Sequence, residues 1–201
     1  MDRYLKIATE APNPSGRDVI LSYLNRALPP LWEADYQAMT SSPSALLTVT
    51  FREPQHPEGE LHVLFDHASS AVGTPSNGTE DRVVAVWGLS RSEPAGTRDK
   101  QRMAGYLRGV WSDTYPGYDR GHFFAHTMGG GTDINLFPQL ASVNRGGRWR
   151  ELETYAASHP GTFCFIHPIY VGTTWIPARL EYGIFHMPPD AFRFEGDTFV
   201  N

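Results

Sequence analysis

The sequence predicts an α+β fold in which helices flank a mainly antiparallel central sheet. A helical spacing of apolar residues runs over residues 15–39. Further along the chain, short runs of β-branched and aromatic residues alternate with loops rich in Gly, Pro, Ser and Asn, a pattern typical of strands. Between residues 118 and 156, an extended segment, a Gly-rich loop and a second helical pattern follow one another.

The first helical pattern begins after Ser15, a residue type that often caps a helix N-terminus. Its apolar residues recur at helical spacing and would form one face: Val19, Ile20, Tyr23, Leu24, Ala27 and Leu28. Proline lacks the N–H that a helix interior needs, so Pro29-Pro30 is expected to end this helix. A second short helix is expected at about residues 31–39. Residues 1–45 are therefore predicted to be an N-terminal helical accessory segment, attached to a domain at 46–201.

Five strands are expected in the rest of the chain, at about residues 45–52, 60–67, 82–90, 162–171 and 179–186. The loops expected between the first three strands lie at 54–59 and 73–80. Cys164 is the only cysteine, and it lies within Phe163-Cys164-Phe165-Ile166, the pattern of a buried strand. The sequence therefore predicts no intrachain disulfide.

Residues 116–132 predict a turn, an extended segment and a loop. Pro116-Gly117 marks the turn. Tyr118 to Phe124 can be extended, with alternate side chains on one face. In the run Gly129-Gly130-Gly131 the backbone is free to turn sharply. His122 is thus expected in the extended segment that leads into the loop.

The second helical pattern starts at about Ser142, with apolar residues near a spacing of 3.6. Asn144 and Glu153 are nine residues apart, so a regular helix would put them on opposite faces. The pair Gly146-Gly147 allows a break that brings them together. Asn144 is therefore expected where the helix begins.

The polar residues of this region suit hydrolysis of a phosphodiester. A histidine such as His122 can take a proton from water, because its unperturbed pKa is about 6.5. The amide oxygen of an asparagine is a hard, neutral ligand that suits Mg²⁺. Arginine can bind the non-bridging phosphate oxygens with two hydrogen bonds while their charge shifts in the transition state.

Three groups of residues together resemble the DNA/RNA non-specific endonucleases. They are Tyr118-Asp119-Arg120-Gly121-His122, then Asn135-Leu136-Phe137-Pro138-Gln139, then Asn144, Trp149, Leu152 and Glu153. The family consists of ββα-metal (His-Me finger) nucleases, written DRGH…N-x-x-P-Q…N…W-x-x-L-E. A weaker likeness continues onward, so the catalytic core is expected at about 80–186 of an endonuclease-like domain at 46–201. The link Arg145–Arg148 is one residue longer than is usual in this family.

The resemblance implies a role for each matching residue. His122 would be the general base, and Asn144 the direct ligand of a single Mg²⁺, for which Mn²⁺ can substitute. Glu153 would hydrogen-bond the waters of the metal, and Asn135 would orient either the His122 region or one of those waters. An arginine is also expected to stabilise the pentacoordinate phosphorus; the candidates are Arg98, Arg102, Arg108 and Arg120, with Arg120 favoured and then Arg102. The products would carry 5′-phosphates.

Each of these residues also has an ordinary structural explanation. Asparagines often occupy turns or helix caps, and Glu153 could be a solvated helix residue. Asp119 is expected to be structural, as a salt-bridge partner of Arg120. His122 and His126 would share a helix face as in a zinc-binding H-E-x-x-H, but Phe123 stands at the position of the glutamate and no third ligand stands out.

The charge of the chain is distributed unevenly. The net charge is −5, an unfavourable start for binding polyanions. Between residues 98 and 150, however, eight basic residues oppose four acidic ones, a net +4, which leaves −9 on the rest of the chain. The basic residues are Arg98, Lys100, Arg102, Arg108, Arg120, Arg145, Arg148 and Arg150. The positive charge thus coincides with the segment that carries the motif.

The expected function is metal-dependent, non-specific cleavage of DNA and/or RNA, as an antibacterial effector, a defence nuclease or a scavenger. The alternatives are a catalytically silent nucleic-acid- or protein-binding module on the same fold, and hydrolysis of a different phosphodiester. A toxin would be expected to have an immunity or regulatory protein. No apolar run approaches the roughly 20 residues that cross a bilayer, and the N-terminus is too polar for a signal peptide. The chain is therefore expected in the cytoplasm, or exported by a route independent of a signal peptide.

Overall fold

The computed structural model describes residues 1–12, 16–40, 45–53, 56–71, 80–93, 101, 115–131, 133–188 and 191–201. The predicted cap at Ser15, Arg102 and most of the predicted loop at 73–80 lie outside these residues. No helix in this described part of the chain is long and apolar enough to cross a membrane.

Four helices and eight strands make up the described fold. Helices α1 and α2 span Asp2–Glu10 and Arg17–Met39, and strands β1, β2 and β3 span Leu46–Glu53, His56–Ala71 and Glu80–Leu89. Next come β4 (Tyr118–His122), β5 (Leu136–Leu140), α3 (Ala141–Asn144) and α4 (Gly147–Ser158), with short 3-10 turns at His126–Met128 and Asp133–Asn135. Strands β6, β7 and β8 span Phe163–Ile169, Arg179–His186 and Arg193–Val200.

The main sheet has the order β1-β2-β3-β6-β7-β8, and every neighbouring pair is antiparallel. This confirms the predicted fold class. Strands β4 and β5 form a separate two-stranded antiparallel hairpin. Because β3 and β6 are hydrogen-bonded neighbours, the hairpin and the helices α3 and α4 form an insertion between two adjacent strands of the sheet.

Each face of the sheet buries a separate apolar core. Successive side chains of a strand point to opposite faces, and β6 shows this alternation clearly. Phe163 and Phe165 belong to the core beneath α1 and α2, whereas Cys164 and Ile166 belong to the core beneath the hairpin and α4. The hairpin side therefore has its own packed base, made by Phe123, Phe124, Phe137, Trp149 and Leu152 against the sheet.

The prediction that Pro29-Pro30 ends a helix is wrong, because α2 runs unbroken through both prolines. Its buried residues recur every four positions on both sides of the pair: Ile20, Leu24, Leu28, Trp32 and Tyr36. Burying this stripe against the sheet outweighs the missing backbone hydrogen bonds, since a buried Leu or Trp contributes roughly 1.5–3 kcal/mol. Tertiary packing has overridden the local preference.

Polar contacts also attach α1 and α2 to the sheet. Arg3 forms ion pairs with Asp35 of α2 and Glu181 of β7. The hydroxyl of Tyr4 donates to Glu181 at 2.6 Å and accepts from Trp32 Nε1 at 3.0 Å. The N-terminal helices are thus bound to the sheet by a partly buried polar network as well as by apolar packing.

Strand β5 was not anticipated, and neither were three further parts of the fold. Helix α1 has only nine residues, so its helical spacing of apolar residues is too short a pattern to predict a helix by itself. Strand β8 lies at the edge of the sheet and contains Gly196 and Asp197, residue types that are depleted in strands. Strand β2 begins at His56, within the predicted loop at 54–59, because it pairs back on β1 as far as Glu53.

The continuity of α2 gives a stability prediction. Pro30 is exposed, and alanine there would restore an N–H donor for the carbonyl of Arg26. We expect Pro30→Ala to raise the free energy of unfolding by about 2 kcal/mol, which is the roughly 3 kcal/mol cost of an interior proline less up to about 1 kcal/mol for the more flexible unfolded chain. Urea denaturation followed by circular dichroism measures the change.

Leu28→Ala is the matched substitution in the same helix, and it should lower stability by about 2–5 kcal/mol because Leu28 is fully buried. A loss of stability in Pro30→Ala would contradict an uninterrupted α2.

Candidate active site

The two motif segments form the two strands of one hairpin. Their residues are paired in register: Asp119 with Gln139, Arg120 with Pro138, Gly121 with Phe137, and His122 with Leu136. By the alternation of a strand, Arg120 and His122 lie on one face of β4, and Asp119 and Gly121 on the other. Just beyond the last pair, the Phe123 ring stacks on the Phe137 ring, with centroids 4.1 Å apart. The hairpin thus combines the motifs through backbone pairing and ring packing.

Gly121 is a glycine because the side chain of Gln139 lies across it. A Cβ atom at Gly121 would be 2.3 Å from Gln139 Oε1 and 2.4 Å from Gln139 Cβ, closer than such atoms approach in proteins. Gln139 is itself completely buried. The glycine of the first motif and the glutamine of the second therefore fit one another, which the sequence could not show.

His122 is the last residue of β4 and is buried, with 8% of its surface exposed. The backbone pairing continues past it, since Phe123 N–H donates to the carbonyl of Asn135 at 2.9 Å. His126 opens a separate 3-10 turn after the strand. The two histidines therefore lie on different elements, so the shared helix face of a zinc-binding H-E-x-x-H does not form.

Asn135 binds the backbone that follows His122. Its Oδ1 accepts from Phe124 N–H at 2.8 Å, while its Nδ2 donates to the carbonyls of Phe124 at 2.7 Å and Gly131 at 2.8 Å. Both amide hydrogens are therefore engaged by backbone oxygens, and the residue is 2% exposed. Of the two predicted roles, these contacts fit orientation of the His122 region.

The Gly-rich loop is closed against the same backbone. Gly130 N–H donates to the carbonyl of Ala125 at 2.9 Å, and a Cβ atom at Gly130 would be 1.8 Å from the carbonyl oxygen of Phe124. Gly129 has a φ of +92°, a conformation that favours glycine. Its carbonyl accepts from Arg91 at 2.8 Å, which joins the loop to the chain leaving β3.

Asn144 is joined to the hairpin through Asp119. Asn144 Nδ2 donates to Asp119 Oδ2 at 3.0 Å. Arg145 binds the same carboxylate with two hydrogen bonds, from Nε to Oδ2 at 2.8 Å and from a terminal nitrogen to Oδ1 at 2.5 Å. The Arg145 hydrogen bonds, supported by that of Asn144, hold the pKa of Asp119 below its usual range. Asp119 was expected to pair with Arg120, and the ion pair in the structure is with Arg145.

The predicted break between Asn144 and Glu153 is confirmed. Helix α3 ends at Asn144, and α4 begins at Gly147, whose φ is +60°. Asn144 thus ends the short helix before the break, whereas the sequence had suggested that it starts the long one. A side chain at Gly147 would be strained in this conformation.

Glu153 lies on α4 and is 4% exposed, so it is not a solvated helix residue. Its Oε1 accepts from Trp149 Nε1 at 2.9 Å, and its Oε2 pairs with Arg150. Arg150 and Glu153, together with Thr127, line a groove of about 410 Å³. The carboxylate is therefore held in place at the wall of an open groove.

The structure connects some of the predicted site residues directly and leaves others apart. Asn144 meets the β4 strand at Asp119, three residues or roughly 10 Å along the strand from His122. Arg120 is half-buried on the His122 face, and Arg102 lies outside the described residues. No group of three or more His, Cys, Asp or Glu within the described residues could hold a metal ion. Sequence reasoning missed the Asp119–Arg145 and Arg150–Glu153 contacts, although the spacing of three residues between Arg150 and Glu153 in a helical pattern was a signal for the second.

Comparison with known proteins places this region in context. The sequence pattern of the DNA/RNA non-specific endonuclease family matches residues 79–182, a range that contains the hairpin, Asn144 and Glu153. No curated protein sequence matches the chain. One similar solved structure is the Sda1 nuclease with a bound zinc ion, at 15% identity and a TM-score of 0.39, covering 78% of this chain and 83% of that chain.

The packing of the Gly-rich loop gives a second stability prediction. In Gly130→Ala the new methyl group would meet the Phe124 carbonyl oxygen, a backbone atom that cannot swing aside. We expect the free energy of unfolding to fall by about 1–3 kcal/mol, with reduced activity. Gly131→Ala is the matched control, because a Cβ there has no neighbour within 4 Å, and it should stay within about 0.5 kcal/mol of the wild type. Equal stabilities of the two variants in urea denaturation would contradict the described loop.

Proposed function

The chain belongs to the DNA/RNA non-specific endonuclease family and is a hydrolytic endonuclease, and from this we propose that it cleaves nucleic acid with His122 as general base and one Mg²⁺ on Asn144. The observation that carries the proposal is that the three matched motif segments meet in one unit: β4 pairs in register with β5, and Asn144 binds Asp119 of β4 at 3.0 Å, on the strand face opposite to His122. Matched motif residues from three chain segments are thereby joined in one hairpin–helix unit.

His122 is proposed to take the proton from the attacking water. Histidine is the side chain best suited to this task, because an imidazole in water changes its protonation state near neutral pH. Its position at the end of a paired strand, followed at once by backbone that Asn135 binds, restricts its movement. A fixed base costs less reorganisation when the proton is transferred.

The residues present fit a hydrated magnesium ion. Asn144 offers an amide oxygen, a ligand type that suits Mg²⁺ and leaves room for waters and phosphate oxygens. When bound, Mg²⁺ would offset charge on the leaving 3′-oxygen, and the products would carry 5′-phosphates. Mn²⁺ would substitute, because it accepts the same oxygen ligands.

Glu153 is proposed to hydrogen-bond water at the metal site, and Trp149 and Arg150 hold its carboxylate in place for that purpose. Asn135 is proposed as a positioning residue that acts through the backbone of Phe124.

Phosphate would be bound by arginine. Arg120 is the first choice because it shares a face of β4 with His122, and Arg102 is the second. Contacts to phosphate and sugar carry no base sequence, which agrees with a substrate range of both DNA and RNA. The net charge of +4 between residues 98 and 150 also favours binding of a polyanion. Because counterions are released on binding, we propose that activity falls as salt concentration rises.

The test is cleavage of supercoiled plasmid and of total RNA by purified protein with Mg²⁺, Mn²⁺ or EDTA. We expect both substrates to be cut with either metal and neither with EDTA. His122→Ala should lower the rate by about 10²–10⁴-fold, because the general base is lost. His67→Gln, a substitution of an exposed histidine on β2, is the matched control and should cleave like the wild type.

Folded protein that binds nucleic acid without cutting it in any metal would contradict the proposal and favour a silent binding module. Cleavage retained in His122→Ala would remove His122 as the base while leaving the nuclease intact. The 5′-phosphate is checked by treating the products with a phosphatase that removes 5′-phosphates and measuring whether phosphate is released.

A further inference from the structure

One carboxylate, that of Asp119, has three hydrogen bonds from residues of a single short segment. Asn144 Nδ2 donates to Oδ2, and Arg145 donates to both oxygens at 2.8 and 2.5 Å. The Asp119 side chain is 20% exposed, whereas that of Arg145 is 71% exposed. The exposed Arg145 side chain thus covers the solvent-facing side of the contact between Asn144 and Asp119.

The chemistry of the three groups allows only one orientation of the Asn144 amide. A guanidinium has donors and no acceptor, so Arg145 engages both Asp119 oxygens as acceptors. The carboxylate therefore has no proton to donate to Asn144. Only the nitrogen end of the amide can bind it, and the oxygen end is left for another partner.

This orientation matters because the two ends of a carboxamide have opposite chemistry. The oxygen carries lone pairs that a cation accepts, while the two N–H groups present positive charge and would repel it. With no fixed partner, the amide could rotate and present either end. A residue that fixes the nitrogen end raises the fraction of molecules that are ready to bind a metal.

We propose that Asp119, held by Arg145, is the positioning residue that orients the Asn144 amide oxygen towards the metal. The inference rests on the proposed function, in which Asn144 is the metal ligand. Arg145, the residue directly after Asn144 in the chain, binds the same carboxylate as Asn144 does. The two glycines that follow, with Gly147 at a φ of +60°, let the chain turn away into α4.

The direct test is a titration of the full chain with Mn²⁺ in the absence of nucleic acid. The free ion is measured by electron paramagnetic resonance, which gives the dissociation constant. In Asp119→Ala the amide loses its fixed partner, and the dissociation constant for Mn²⁺ should rise about 10–100-fold. In Asp119→Asn the new amide can bind either end of Asn144, so a rise of similar direction and smaller size is expected. Asp197→Asn removes an exposed carboxylate on β8 and should leave Mn²⁺ binding unchanged.

A second measurement distinguishes loss of the Asn144 amide orientation from a general loss of stability. If Asp119 acts through the metal, the Mg²⁺ concentration for half-maximal cleavage should rise in Asp119→Ala, and kcat should partly recover at saturating Mg²⁺. A purely structural role would lower the melting temperature and kcat with no change in metal affinity. Unchanged Mn²⁺ affinity in folded Asp119→Ala would overturn the proposal.

Two further variants distinguish a failure of folding from a failure of the proposal. Arg145→Ala removes only an exposed side chain, so it should fold if Asp119→Ala does not, and it should weaken Mn²⁺ binding by a smaller factor. Unchanged affinity in Arg145→Ala would overturn the clamp. Asn144→Ala tests the ligand itself: if it binds Mn²⁺ like the wild type, the proposed metal site is wrong and the positioning role falls with it. If it loses binding while the Asp119 and Arg145 variants do not, only the positioning role is wrong.

Discussion

The pairing of β4 with β5 is the constraint on which the candidate site depends. It fixes Gly121 opposite Phe137 and places the Gln139 side chain across the glycine, so neither strand can slip by a residue without a collision. A slip of one residue would also turn every side chain to the other face. The same pairing places His122 at the end of β4, and the next backbone hydrogen bond runs from Phe123 to the carbonyl of Asn135. The core beneath, formed by Phe123 and Phe137 with α4, holds this arrangement on the sheet.

The fold could be predicted where the local sequence alone indicates whether a segment is buried or where an element ends. The run at Phe163–Ile166 is buried on both faces and was recognisable as a strand, and Gly146-Gly147 marked the break before α4. Helix α2 could not be predicted in full, because the stripe that stabilises it through Pro29-Pro30 contributes only when packed on the sheet. Strand β8 escaped because its pairing with β7, and not its composition, makes it a strand.

The candidate site divides in the same way. Residues with their own chemistry, such as His122 and Asn144, stand out in the sequence through type and spacing. Their partners do not, because the hydrogen bonds that join Asp119 to Arg145 and Asn135 to Phe124 exist only once the hairpin and α3 have formed. Arg102 stays a prediction, as do the antibacterial role, the immunity partner and the cellular location.

The insertion of the hairpin between β3 and β6 has a consequence for how the protein is made. These two strands are neighbours in the sheet, yet about 70 residues separate them, and closing so long a loop costs entropy before any contact is gained. The face that supports the hairpin also needs Leu180, Tyr182 and Ile184 of β7. During synthesis, the candidate site residues are therefore made before the strands that complete the sheet face beneath them. The hairpin therefore gains its packed base only after β6 and β7, which follow it in the sequence, have joined the sheet.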